Sequence, residues 1–425
     1  MPVKDDFARV PVPQDRRVGG FHIAMVVVGG TISIPGFLMA AAIGDGLGVA
    51  HAAAAFILGC LTLAVLGAMT AWAGVKSRFS AYMLAEFAFG RRGAAAANLA
   101  VALSLIGWFG VISNIFAQAA DLLVSQTLGL SIPAEIYAVI GSLLIVGVTI
   151  SGFKGIDKLA LALVPLMALF LIYAAALSIG KIDGWSLPAD QRTLSFSSAV
   201  SAVIGSYIAG VIIQPDYARF ARNRPHAIWS AVIALGVSFP VVLLLAAIPS
   251  VAMGQSDLFL IMLGLGIGVP AFILLLLASW SSNVLCLYSA GLSVATILKR
   301  VDLRTILLAA GTAGTALAML HAQDYLTRYL ILLGIALPPI ASIYASEALL
   351  FRDAFSLEAL KTESAISWPA FAAWGGAVAA GYAAYSERAS FTGVAALDSI
   401  LAAFLIYAGL GYARRAAARR SGRAA

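Results

Sequence analysis

Apolar residues in this chain run in long unbroken stretches rather than at alternating or amphipathic spacing. A helix needs about 20 apolar residues to cross the hydrocarbon of a bilayer. Twelve stretches approach or exceed that length: 22–47, 50–75, 94–123, 134–152, 159–180, 195–218, 226–252, 259–297, 304–320, 327–350, 367–385 and 393–413. The eighth is long enough to contain a kink or a re-entrant end. They are rich in Ala, Leu, Val and Gly and do not alternate, which predicts a helical bundle and not a β-barrel. The connections are short, the longest lying near 181–194 and 352–366. With no soluble domain of any size, the function falls within the bundle, as a transporter, channel, membrane-embedded enzyme or sensor.

Two of the twelve stretches are interrupted alike. The first reads VVVGGTISIPGFLMAAAIGDG, with Gly29, Gly30, Pro35 and Gly36 in its middle third. The sixth reads VIGSYIAGVIIQPDYARF, with Gly205 and Gly210 inside and Pro215 near its end. Gly and Pro weaken or remove helical hydrogen bonds, and in hydrocarbon the freed backbone groups need other partners. The two correspond if spans 1–5 and 6–10 form two five-helix repeats of inverted topology, with spans 11–12 appended. Matching broken helices point to a substrate site near the membrane midplane, although glycine also serves simply to pack membrane helices closely.

Composition and charge support this placement. Of 425 residues, 61% are hydrophobic and 11% charged, against about 25% charged in a soluble domain. The first twenty residues read as a polar, proline-broken tail rather than a signal peptide. The net charge of +7 is asymmetric. With the N-terminus in the cytoplasm, every Lys and Arg except Lys181, Arg192, Arg328 and Arg388 falls on the inner side, which predicts that both termini are cytoplasmic. Nucleic acid is thereby disfavoured, and the tail ARRAAARRSGR is expected to meet anionic lipid headgroups. The expected sections are an inner tail (1–21), the first repeat (22–180), the second (195–350), the two appended spans (367–413) and a basic tail (414–425). Cys60 and Cys286 read as small buried residues rather than a disulfide or metal pair.

The polar residues narrow the chemistry. No Asp or Glu falls at the centre of a span: Asp45 and Asp121 lie near outer ends, Asp216 and Glu347 near inner ends. The four histidines also sit at span ends. A deep proton relay through such groups and a buried cationic substrate are therefore disfavoured. A cation can instead be held by backbone carbonyls and hydroxyls. In the eighth span, Ser281 and Ser282 follow Ala278 at helical spacing, sharing the face of its carbonyl, and the broken first span can offer the carbonyls of Gly29 and Ile32. Serines in membrane helices also bond the carbonyl four residues back, and the pair alone does not decide between these roles. Trp108 lies deep in the third span between Gly107 and Gly110 and offers an apolar face on which a flat neutral heterocycle can stack. Tyr207 can supply a second face, while Ser206, Ser33, Asn283 and the backbone at Gly205 can bond ring edges. Packing roles for these residues remain open on this reading.

Several segments together resemble the nucleobase–cation symporter-1 family, in particular its bacterial cytosine permease branch. They are VPVPQDRRVGG before the first span, GWFG (107–110), GSYIAG with PDYARFARN (215–223), WSSN (280–283) with LYSAGL, and ALPPIASIYASEALLFR (336–352). The resemblance implies an all-α membrane protein of the LeuT-like fold, with a 5+5 inverted repeat and two further helices. It implies import of nucleobases or related heterocycles with Na⁺ or H⁺. It assigns stacking to Trp108 and Tyr207, and a sodium ion to Gly29, Ile32, Ala278, Ser281 and Ser282. The chain departs from the pattern in the edge-reading set: Leu105 replaces a Gln, Ala278 an Asn, Ala209 a Ser and Ser33 an aromatic residue. A buried base edge without partners costs about 1–3 kcal/mol per group, so a planar heterocycle other than cytosine is expected.

The resulting expectation is a monomeric symporter in the bacterial inner membrane, coupled to Na⁺ and without a resident cofactor. A proton-coupled importer of a vitamin-precursor pyrimidine or a hydantoin is the alternative, and a non-transporting sensor of such a compound is the rival from another class. An enzyme is disfavoured because no His cluster, metal-spaced ligand set or deep acid–base pair occurs.

Overall fold

The computed structural model describes residues 10–420 except 152–155, 183, 257, 267, 299 and 321–324; the side chains of 126, 151, 156–164, 258, 259, 269, 271, 274, 275, 278, 281 and 418–420 are also outside the description. The side chains of Ala278 and Ser281, both expected at the ion, therefore lie outside the described residues. So do Lys4, Arg9, Lys154, Lys299, His321 and Arg423, and the side chains of Lys158, Arg419 and Arg420.

The described chain is helical, with one isolated backbone bridge, Val18 to Ala221. In order, the helices are α1 (Gly20–Thr31), α2 (Ile34–Leu47), α3 (Val49–Ser77), α4 (Ala81–Phe89), α5 (Ala94–Leu128), α6 (Ala134–Ser151), α7 (Ile156–Ser178), α8 (Phe196–Ile212), α9 (Gln214–Ala218), α10 (Arg224–Ala231), α11 (Phe239–Met253), α12 (Leu258–Gly264), α13 (Gly268–Ile297), α14 (Leu303–Met319), α15 (Leu326–Ala336), α16 (Pro338–Ser346), α17 (Leu357–Thr362), α18 (Trp368–Tyr385) and α19 (Ala395–Arg420). Wide π-turns link α10 to α11 (Val232–Ser238) and close α16 (Glu347–Phe351). Among the described residues, five helices are long and apolar enough to cross a membrane, and six when the bent pair α1–α2 counts as one span. The expected stretch 259–297 is divided into α12 and α13. The short α4 lies in what the hydropathy pattern reads as a loop, and it is largely buried.

Proline chemistry explains the bends. Pro35 has no N–H to donate to the carbonyl of Thr31 four residues back, and its ring crowds that carbonyl. The N–H of Ser33 fills the gap, bonding Thr31 O at 3.1 Å. Ser33 is thereby withdrawn from the carbonyl of Gly29, its regular helical acceptor. Ser33 takes an extended conformation (φ −138°, ψ 147°), and α1 and α2 meet at 61°.

The sixth stretch behaves differently from expectation. Helix α8 runs continuously through Gly205 and Gly210 to Ile212, and the interruption comes at Ile213, beside Pro215. Gly205 is required for a helix crossing: a Cβ there would stand 1.8 Å from the carbonyl oxygen of Leu330 on α15. Gly334 answers from α15, where a Cβ would stand 2.3 Å from the carbonyl oxygen of Ser201. Small residues at such a seam let helix backbones approach closely.

The helices form two main packing groups. Helix α5 lies chiefly against α13, α14 and α6, while α3 lies against α8, α9 and α10, and α2 against α11. Helix α15 packs on α8, and α18 and α19 pair with each other and with α16.

Candidate substrate and ion site

Trp108 is almost fully buried, 7% exposed. Its ring meets Tyr329 of α15 edge-on, with centroids 5.9 Å apart and planes at 75°. The Tyr329 hydroxyl donates to the Ser104 carbonyl at 2.6 Å. The glycines flanking Trp108 serve neighbouring helices. A Cβ on Gly107 would fall 2.5 Å from the Tyr329 hydroxyl, and one on Gly110 would fall 2.7 Å from Leu317 Cβ of α14. Tyr329 was not singled out in the sequence. The available signal was a phenol placed two to three turns before the double proline Pro338–Pro339.

Tyr207 faces the first span. Its hydroxyl donates to the carbonyl of Val27 on α1 at 3.2 Å, and its ring lies 5.7 Å from that of Phe239. Gly30 makes this approach possible, since a Cβ there would stand 2.9 Å from the Tyr207 oxygen. Ser206 donates its hydroxyl back to Val203 O at 2.7 Å. Leu105 and Ala209 are both buried in the same core as Trp108. Ser33 is half-buried at the bend and makes no side-chain cap to α2.

Asn283 points into the other packing group. Its amide nitrogen donates to Ser113 Oγ of α5 at 2.7 Å, and Ser142 of α6 joins the same hydroxyl at 3.3 Å. This buried polar knot ties α5, α6 and α13 together. Of the expected ion ligands, Gly29 is half-buried and Ile32 buried at the end of α1, while Ser282 is half-buried on α13. The ligand set the sequence proposes is all oxygen and uncharged, which suits a hard monovalent cation. Among the described residues no group of three His, Cys, Asp or Glu side chains gathers as a metal site.

Tyr344 was also missed by the sequence. It lies fully buried on α16 and donates its hydroxyl to Ile212 O at 2.8 Å, at the end of α8. Asp216, near the inner end of the sixth stretch, accepts the N–H of Ala81 at 2.8 Å and so caps the start of α4. Arg219 is buried and its Nε donates to the Asp216 carbonyl at 3.2 Å.

The model of a family described as permease for cytosine/purines, uracil, thiamine, allantoin matches residues 11–406. The chain belongs to that family. The chain is 26% identical over 381 residues to the cytosine permease of Escherichia coli K12, covering 89% of each chain. It is 23% identical over 364 residues to the hydantoin permease of Microbacterium maritypicum, covering 80% of this chain and 74% of the relative. Its fold is similar to that of Mhp1 in an inward-facing conformation, with a TM-score of 0.82 at 20% identity over 96% of this chain and 93% of the other. A closed form of Mhp1, described as a nucleobase-cation-symport-1 transporter with bromovinylhydantoin bound, gives 0.80 at 21% identity over 97% and 96%. The permease is thus a multi-pass membrane protein of the LeuT-like fold, a transporter and not an enzyme.

Proposed function

We propose that this permease is a Na⁺-coupled symporter that imports a planar, neutral heterocycle of the nucleobase or hydantoin class across the bacterial inner membrane. It spans the membrane twelve times, with two inverted five-helix repeats and two added helices, and both termini lie in the cytoplasm. It acts as a monomer. The observation that carries this reading is the bend at Ile32–Ser33, where Pro35 diverts the Ser33 N–H to Thr31 and leaves the Gly29 carbonyl without its helical donor.

In this reading the carbonyls of Gly29 and Ile32 face Na⁺ from one side, and the Ala278 carbonyl with Ser281 and Ser282 from the other. The ion braces the bend against α13. The heterocycle stacks on Trp108, with Tyr207 as the second aromatic group and Gly205, Ser206, Ser33, Leu105, Ala209 and Asn283 as the surrounding positions. Rocking of the α3–α8–α11 group against the α5–α13–α14 group then exposes the site to the other side. Cytosine permease and hydantoin permease as relatives support the substrate class, while Leu105 and Ala278 argue against cytosine itself. Na⁺ is supported by the fold's likeness to a Na⁺-coupled sialic acid symporter, with a TM-score of 0.64 at 15% identity over 96% of this chain and 92% of that one.

A thermal-shift screen tests both ligands, because binding to the native state raises apparent stability. Cytosine, hypoxanthine, uracil, thiamine, allantoin and hydantoin are compared with and without Na⁺. A shift with one of the neutral planar compounds that grows with Na⁺ is expected. Stabilisation by none of them, or equal stabilisation in Na⁺-free buffer, contradicts the assignment.

A further inference from the structure

A cavity of about 180 Å³ opens between α1 and α9, away from Trp108, lined by Val18, His22, Val26, Asp216, Tyr217 and Phe220. Its walls are held by backbone. The Val18 N–H bonds Phe220 O at 2.7 Å and the Arg222 N–H bonds Val18 O at 3.0 Å. The Arg78 guanidinium donates to the Arg219 carbonyl at 2.9 Å and to that of Ala221. Burial and the neighbouring Arg17 lower Arg78 to about 10, so it is still charged at neutral pH and the clamp persists. Six residues before Val18, Val12 is buried and its N–H bonds Arg78 O at 3.3 Å. The cavity is therefore a built feature rather than a gap between mobile segments.

Its lining has a definite chemistry. Tyr217 and Phe220 offer aromatic surface. The Asp216 carboxylate accepts the Ala81 N–H, and a carboxylate offers about four acceptor positions in all, of the kind a ring N–H seeks. His22 can donate or accept. The volume lies below the roughly 300–1,000 Å³ of pockets for drug-sized ligands, which suits one small ring. Val26 of the cavity wall directly precedes Val27, whose carbonyl accepts the Tyr207 hydroxyl, so α1 is shared by this cavity and the central site.

We propose that this cavity is a second, inner binding site that holds the same flat heterocycle after it leaves Trp108, with Asp216 and His22 reading its ring N–H groups and Tyr217 and Phe220 covering its faces. The proposal rests on the heterocycle-symporter reading above. The test places Val26→Cys in a background of Cys60→Ala and Cys286→Ser, in nanodiscs, and follows the rate at which a polar maleimide modifies the new thiol. The probe is whichever compound of the thermal-shift panel stabilises the protein most.

The probe is expected to slow modification, and to do so equally when Trp108→Ala has removed the central site. Asp216→Asn keeps an oxygen for the Ala81 N–H but loses the charge, and is expected to raise the protecting concentration about tenfold, the loss of one charge-assisted hydrogen bond. Protection that disappears with Trp108→Ala in a protein of unchanged melting overturns the inner site, because the probe then acts only from the centre. If Trp108→Ala does not fold, Asp216→Asn decides alone, and unaltered protection by that variant overturns it. A probe that stabilises the protein but never protects the thiol overturns the inner site and leaves the symporter reading standing. A panel that stabilises nothing overturns both.

Discussion

Proline interrupts the first, sixth and tenth apolar stretches, but the consequences differ. In the tenth, Pro339 frees the Ile335 carbonyl and the Ile340 N–H turns from Ala336 to Leu337, and neighbours take both carbonyls: Ser399 donates to Ile335 O at 2.6 Å and the Trp374 indole to Ala336 O at 2.9 Å. In the sixth, Pro215 ends α8 and the buried hydroxyl of Tyr344 covers the Ile212 carbonyl. In the first, the rearrangement is internal. Ser33 turns to Thr31, the axis bends by 61°, and the Gly29 carbonyl loses its helical donor. The first two solutions fasten helices together, whereas the bend is a rearrangement of backbone bonds within one span. A proline in a membrane helix therefore marks a site only when neighbouring side chains do not claim what it releases.

The largest expected effect concerns the fastened region. Gly205→Ala forces a methyl against the Leu330 carbonyl and should destabilise the protein by about 3 kcal/mol or more, read as a large fall in melting temperature. Unchanged melting would show that the α8–α15 seam does not need glycine. Next comes Trp108→Ala, which should weaken heterocycle binding by about 1–3 kcal/mol, the usual worth of one stacked ring. Calorimetry with the stabilising probe measures it, and retained affinity would remove Trp108 from the site. Tyr344→Phe leaves the Ile212 carbonyl buried without its donor and should cost about 1–3 kcal/mol of stability with little change in ligand affinity. The reverse pattern would move Tyr344 into the binding site. Smallest is Tyr207→Phe, which removes only the bond to Val27 and should cost about 0.5–1.5 kcal/mol while keeping a ring for stacking. A complete loss of binding in this variant would show that the hydroxyl, not the ring face, serves the substrate.

Much of this was legible in the residues. Long apolar runs and their short connections gave the helical bundle, and GWFG with PDYARFARN pointed to the right family. The bend at Pro35 was legible because proline removes a specific donor. What one sequence could not separate was glycine as a break from glycine as a contact. Gly205 and Gly210 look like Gly29 and Gly30, and both pairs lie within continuous helix; the breaks come at the residues just before Pro35 and Pro215, while Gly205 makes room for α15, more than a hundred residues away. The same limit hid Tyr329 and Tyr344, whose hydroxyls act on distant helices, and the Ser113–Asn283 knot, which draws Asn283 into the α5–α6–α13 group. Buried α4 escaped notice because nine residues are too few for a hydropathy signal.

The ion lends the comparison its sharpest consequence. Ser281→Ala with Ser282→Ala should abolish sodium stimulation of heterocycle binding and leave the sodium-independent part intact, as read by the thermal shift. Persistence of the stimulation would place the cation elsewhere.

The most direct measurement of the central claim is uptake of the stabilising heterocycle, radiolabelled, into proteoliposomes under an imposed Na⁺ gradient or an imposed proton gradient. Accumulation driven by Na⁺ and absent in Trp108→Ala is the predicted result. Full-rate uptake on a proton gradient without Na⁺, or binding with no accumulation under either gradient, would contradict it.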